Sequence, residues 1–187
     1  MAFDLVIRGA TVVTPGHQEV ADIGIADGRI AQLGGAMAGE RELAAGGLLA
    51  IPGGIDAHTH LMHAGLGDRL EPPTWVDDFW SGSRAAIAGG ITTIGNMTFP
   101  LPGDGGTVET PGAAIGREMA GAAPEAAVDW FLHSVLVDPA ALAADEVAAL
   151  AQDGHASVKI FLSDPDVAAD EPALVAARPA PRKRPAW

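Results

Sequence analysis

The chain has 187 residues, enough for one domain with a substantial core. Hydrophobic residues make up 48% and charged residues 19%, which excludes a disordered polyelectrolyte. A net charge of -13 argues against nucleic-acid and membrane partners, and the lack of cysteine excludes disulfides, thiolate metal sites and a cysteine nucleophile.

Residues Met1 to Ala10 carry Asp4 and Arg8 inside an alternating pattern, unlike a signal peptide. No stretch is apolar for long enough to span a bilayer, so a cytoplasmic location is expected. Phe3 to Val13 reads as a strand with an irregularity at Gly9. Val20 to Ile25 and Arg29 to Leu33 read as two more, joined by the hairpin signal Asp27-Gly28. Residues 1–50 are therefore expected to form a small antiparallel β segment.

After Gly46-Gly47 the pattern changes. Leu48 to Ile51 is apolar, Pro52-Gly53-Gly54 interrupts it, and Ile55 to His60 follows as a strand. Thr74 is the expected N-cap of a helix carrying Val76, Phe79, Trp80, Ser83 and Ile87 at helical spacing, with Gly89-Gly90 as its stop. The alternation then repeats. Ile91 to Phe99 is a strand, and Thr110-Pro111 opens a helix with Ile115 and Met119 on one face. Val128 to Val137 is a strand, and Asp138-Pro139 caps a helix running to about Gly154. Ala156 to Leu162 is a fourth strand, and Glu171 to Ala177 starts a further helix.

Strand-helix alternation predicts a parallel sheet with helices packed on it. A closed barrel of eight such units takes roughly 250 residues. Residues 51–177 therefore fit an α/β partial (β/α)8 barrel of about four strands. A small open α/β sheet is the alternative, although the first strand-helix loop lacks the glycine fingerprint of dinucleotide folds. Residues 178–187, RPAPRKRPAW, hold four of the eleven Lys/Arg residues, three prolines and no acid. This break in composition is expected to mark a frameshift or gene-fragment end; a basic interaction tail that binds nucleic acid weakly is the other possibility.

The chemistry concentrates in Ile55-Asp56-Ala57-His58-Thr59-His60. On a strand, His58 and His60 project to one side, which in a barrel is the interior, and because the segment ends its strand the pair is expected at the C-terminal mouth. Two neutral imidazoles there can share a divalent cation. A lone HxH is a weak motif, and a solvated or structural pair is the alternative.

The order IPGGIDAHTH, a helix ending AAIAGG, then ITTI and SVKIF resembles the cyclic amidohydrolases, a group of dihydropyrimidinases, hydantoinases, allantoinases and dihydroorotases. FDLVIRGATVVTP and DIGIADGRIAQLG look like that group's N-terminal β-sandwich strands. The resemblance covers residues 1 to about 177. It implies that His58 and His60 bind the more buried of two divalent metal ions, with Zn2+ as the expected species. It also implies that Lys159 is carbamylated and bridges both metals. A solvated strand-end lysine is the alternative for Lys159. The implied substrate is a small cyclic amide, opened by metal-activated water, in an enzyme that is a homo-oligomer at full length.

The family's two further histidines and its aspartate general base come from later strands and have no matching position here. The chain is therefore expected to be incomplete as an enzyme, with a catalytically inactive fragment or assembly partner as the alternative. Hydantoinase-like relatives place a tyrosine five residues after the bridging lysine. This chain has Asp164 there and no tyrosine, which speaks against hydantoin or dihydropyrimidine as substrate. Among the remaining polar residues, Asp56 is expected to support the ligands or to be buried structurally, and His133 to be structural. His63 is expected to be a loop residue, His17 and His155 to be exposed, and Asn96 stands where relatives often carry aspartate.

Overall fold

The computed structural model describes residues 2–62, 75–102, 107–137 and 144–161. They belong to two compact units, one up to Pro52 and one from Gly53 onward.

In the first unit, β1 (Phe3–Thr14) pairs antiparallel with β2 (His17–Ala26), and β2 pairs antiparallel with β3 (Arg29–Leu33). Asp27 and Gly28 both have positive φ, 51° and 69°, as a two-residue type I′ hairpin requires. The β1–β2 register shifts between Ile7 and Ala10, at the expected irregularity. The sheet is not purely antiparallel, however. β4 (Gly39–Ala44) and β5 (Leu49–Ala50) both run parallel to β1 along its other edge. The twelve residues of β1 are long enough to pair β4 over Phe3 to Arg8 and β5 at Thr11 and Val12. Arg8 ties the layer together: its guanidinium donates to Asp22 Oδ2 at 2.7 Å, to the Met37 carbonyl at 2.9 Å and to Glu42.

The second unit is a parallel sheet in the order β6 (Gly54–Thr59), β7 (Ile91–Thr98), β8 (Asp129–Leu136), β9 (Val158–Ile160). Among the described residues, three helices alternate with these strands: α1 (Phe79–Ala88), α2 (Pro111–Glu125) and α3 (Ala144–Gln152). One hydrophobic cluster joins Ile94 of β7 and Leu132 of β8 to Phe79, Ile115 and Leu150, one from each helix. All three helices therefore cover the same face. A doubly wound sheet places helices on both faces, so this arrangement is half of a (β/α)8 barrel rather than an open sheet. No helix among the described residues is long and apolar enough to cross a membrane.

Helix α1 begins later than expected. Its N-cap is Asp78, whose Oδ1 accepts from Ser81 N at 2.7 Å while Ser81 Oγ accepts from Asp78 N at 3.2 Å. Val76 precedes the helix and is 99% exposed, and the buried stripe is Phe79 and Ser83. Thr74 lies outside the described residues. Helix α2 starts as expected, with Thr110 Oγ1 accepting from Ala113 N at 3.2 Å. Its buried stripe is Ile115, Glu118 and Ala122 rather than Ile115 and Met119, because Arg117 supplies Glu118 with a counter-charge that permits its burial. The expected cap at Asp138-Pro139, the helix from Glu171 and the segment 178–187 lie outside the described residues.

Candidate metal centre

Pro52-Gly53-Gly54 leads into β6 because there is no room for side chains. A Cβ on Gly53 would sit 2.1 Å from the Thr92 hydroxyl, and one on Gly54 would sit 2.6 Å from Ile91 Cδ1. β6 can thus lie beside β7 from its first residue and deliver His58 and His60 at its far end. The Nε2 atoms of these two histidines are 3.2 Å apart. Two imidazole nitrogens sharing a tetrahedral cation at about 2.0–2.1 Å from each lie roughly 3.3–3.4 Å apart, so the pair has the right spacing. Two Nε2 atoms this close cannot both carry hydrogen, so at least one presents its lone pair.

His58 is exposed and His60 half-buried. Burial, then the charges of His58 and Lys159, push His60 below the ordinary imidazole value. All three effects favour the neutral ring, which is the metal-binding form. His60 Nδ1 is buried and has no hydrogen-bond partner among the described residues. An imidazole that binds metal through one nitrogen ordinarily anchors the other.

His60, Phe99 and Phe161 each stand one residue past the end of their strand, and their rings form a row along the rim. The His60–Phe99 centroids are 5.6 Å apart and the Phe99–Phe161 centroids 6.1 Å apart. Trp75 packs on His60 at 4.8 Å and on Phe99 at 5.4 Å. Lys159 is half-buried on β9, with its Nζ 5.0 Å from the centre of the Phe161 ring. An ammonium beside a dication is strongly repelled, so Lys159 fits a metal site only in a neutral or carbamylated form. Among the described residues, no three His, Cys, Asp or Glu side chains are grouped to hold a metal.

Two residues matter more here than the sequence suggested. Asn96 is fully buried on β7. Its Oδ1 accepts from Leu61 N at 2.7 Å and its Nδ2 donates to Leu61 O at 3.0 Å, which pins the backbone just after His60. A polar residue between Ile94 and Met97 on a strand was the available signal. His133 Nε2 meets the Ala57 carbonyl at 3.0 Å, and its Nδ1 meets Ser157 Oγ at 2.6 Å. Asp56 is neither buried nor aimed at its neighbours' rings; its Oδ1 accepts from His58 N at 3.0 Å. His155 is half-buried rather than exposed, and His17 is exposed as expected. His63 and Asp164 lie outside the described residues.

Residues 49–162 match the amidohydrolase family. A D-hydantoinase of Ralstonia pickettii is 34% identical, over 86% of this chain and 33% of its own length. An allantoinase of Rubrobacter xylanophilus is 38% identical, over 87% of this chain and 33% of its own. The crystal structure of D-hydantoinase from Bacillus sp. AR9 superposes with a TM-score of 0.76 at 31% identity, covering 92% of this chain and 37% of that one. The chain thus spans about a third of the length of the curated relatives it matches. With the family matched across the whole half-barrel and the histidine pair at its rim, the chain belongs to the amidohydrolase family.

Proposed function

We propose that this chain carries one side of the metal centre of a hydrolase that opens cyclic amide C–N bonds. The observation that carries this reading is the His58–His60 pair, its Nε2 atoms 3.2 Å apart at the end of the first barrel strand. Matches named for hydantoin, dihydropyrimidine and allantoin hydrolysis support the cyclic-amide class. His58 and His60 hold one divalent cation, Zn2+ by preference of two imidazoles. Lys159 joins as a carbamate: its neutral amine adds carbon dioxide, an N–C bond forms as one C–O π bond breaks, a proton leaves, and a single negative charge is shared over two oxygens. A bound divalent ion supplies Lewis acidity and lowers the pKa of water. Trp75 and Phe99 pack against His60, and its burial favours the neutral ring. The location that goes with this reading is cytoplasmic, and the full-length assembly is a homo-oligomer.

Three ligands do not fill the coordination spheres of two metals, and these residues include no general base matching the family pattern. Turnover by the 187-residue chain alone is therefore not expected. A second reading, an inactive assembly partner, is favoured by β6, which ends the sheet order with Ile55 66% exposed.

The test is calorimetric titration of the chain with Zn2+, alongside 13C-bicarbonate NMR for a carbamate signal. Binding that drops at least about tenfold in His58→Ala and His60→Ala, with a carbamate signal lost in Lys159→Ala, supports the reading. Zn2+ affinity equal in all four proteins sinks it. Ring opening of hydantoin, dihydrouracil or allantoin by the chain alone would remove the incompleteness argument.

A further inference from the structure

His133 stands on β8, two strands away from the histidine pair, yet its ring reaches β6. Its Nε2 lies 3.0 Å from the carbonyl of Ala57, the residue between Asp56 and His58. Its Nδ1 lies 2.6 Å from Oγ of Ser157, two residues before Lys159. A carbonyl only accepts, so Nε2 carries the hydrogen, and the neutral ring then accepts at Nδ1 from the Ser157 hydroxyl. One tautomer satisfies both contacts.

The reach depends on Gly95. β7 runs between β6 and β8, with Met97 in register with His133 and Gly95 with Phe131. A Cβ on Gly95 would sit 2.7 Å from the Phe131 ring and 2.9 Å from His133 Nε2. The missing side chain opens the channel through which His133 crosses β7. Gly95 and His133 also sit on the face opposite the helices, since their neighbours Ile94 and Leu132 belong to the helix-side core. The imidazole is thus a cross-brace from the strand bearing the histidine pair to the segment leading into the lysine strand.

We propose that His133 is a positioning residue that sets the separation between the His58–His60 pair and Lys159, and so decides whether the three converge on one metal centre. This deepens the proposed function and rests on it. The hydrogen bonds of His133 go to the backbone of β6 and to Ser157 rather than to the three ligands, and it acts through these. β6 and β9 are the outer strands of the order β6-β7-β8-β9, so direct ladder hydrogen bonds do not link them.

The test uses Co2+ as a probe on the intact chain, reading affinity by titration and coordination by the intensity of the visible d–d bands. His133→Phe keeps the ring volume and removes both hydrogen bonds. His133→Gln keeps a donor and an acceptor at similar reach. Ser157→Ala removes one contact with little change in packing. Circular dichroism confirms that each is folded. His133→Phe should lose roughly 10- to 100-fold in Co2+ affinity and alter the band intensity, while His133→Gln retains most of both. Ser157→Ala should weaken binding in the same direction and keeps the question answerable if His133→Phe does not fold. Wild-type affinity and spectrum in both His133→Phe and Ser157→Ala would overturn the proposal. Equal loss in His133→Phe and His133→Gln would also overturn it, since packing alone would then explain the effect. A His58→Ala/His60→Ala reference separates the two levels of argument. If the wild type binds Co2+ no better than this reference, the metal reading falls and takes the brace with it. If the wild type binds Co2+ better than this reference while His133→Phe and Ser157→Ala both match the wild type, the brace alone falls.

Discussion

Replacing Asn96 with alanine tests the connection between the core and the rim. The Asn96 side chain is fully buried and makes its two shorter hydrogen bonds to one residue, Leu61, at 2.7 and 3.0 Å, while its Oδ1 also accepts from Thr59 Oγ1 at 3.4 Å. Leu61 is itself 9% exposed, so neither its N–H nor its carbonyl regains water freely once the amide is removed. Stranding a buried polar group costs about 1–3 kcal/mol, and two are stranded. A loss of roughly 2–5 kcal/mol in unfolding free energy is expected, large against the stability of an ordinary domain. Urea unfolding followed by circular dichroism and tryptophan emission measures it, with Trp130 packed against the same cluster as a local reporter. Asn96→Leu should lose a similar amount, since it fills the space but leaves both Leu61 groups unpaired. His60 immediately precedes Leu61, so Zn2+ affinity should fall in both variants. A loss below about 1 kcal/mol in Asn96→Ala would refute the view that these two bonds hold the end of β6.

Thr98 offers the opposite sign. Its hydroxyl is buried without a hydrogen-bond partner among the described residues, so Thr98→Val should be neutral or stabilising by up to about 1 kcal/mol in the same urea experiment. Asp78→Ala should cost about 1 kcal/mol at neutral pH through loss of the α1 cap. The Ser81 backbone N–H, then the Ser81 hydroxyl, hold the Asp78 carboxyl below its ordinary value. The cap therefore acts above about pH 3.9, and the gap between wild type and variant should close as pH falls through the lower folded value. His60 is also held below its ordinary value, so the unfolded chain takes up its proton first. Wild-type stability should decline as pH drops below about 6.5, and His60→Leu should flatten that slope. An unchanged slope in acid denaturation midpoints would show that His60 carries none of it.

The strands of the half-barrel were legible because each is a short β-rich run bounded by glycine, proline or a cap. The histidine pair was legible because period-two alternation puts residues 58 and 60 on one side of β6 whatever the neighbours do. β4 escaped because GERELA is mostly exposed, and its alternating charges carry no apolar signal. The start of α1 was misplaced because Thr74 and Asp78 are both good caps by residue type, and only the mutual bonds of Asp78 and Ser81 decide between them. The buried stripe of α2 was misread because Glu118 looks like a surface residue until Arg117 is seen beside it. Asn96 and His133 were visible as polar residues in apolar strands, but their partners lie 24 to 76 positions away in sequence. Local pattern cannot supply a contact of that range.

The two faces of the sheet divide the work by parity. Along β7 and β8, Ile94 and Leu132 point to the helices and make the core, while their immediate neighbours Gly95 and His133 belong to the opposite face. A shift of one residue in either register would exchange these sets, burying an imidazole among the helices and turning the core residues outward. The core therefore enforces the register that places His133 over Gly95 and within reach of Ala57. Stability variants on the helix face and site variants on the opposite face should accordingly behave additively, with one exception. Asn96 sits on the core face yet holds the backbone next to His60, and a double-mutant cycle between Asn96→Ala and His133→Phe should show coupling in Co2+ affinity. Strict additivity in that cycle would mean that β6 is held at its two contacts independently, with no rigid strand between them.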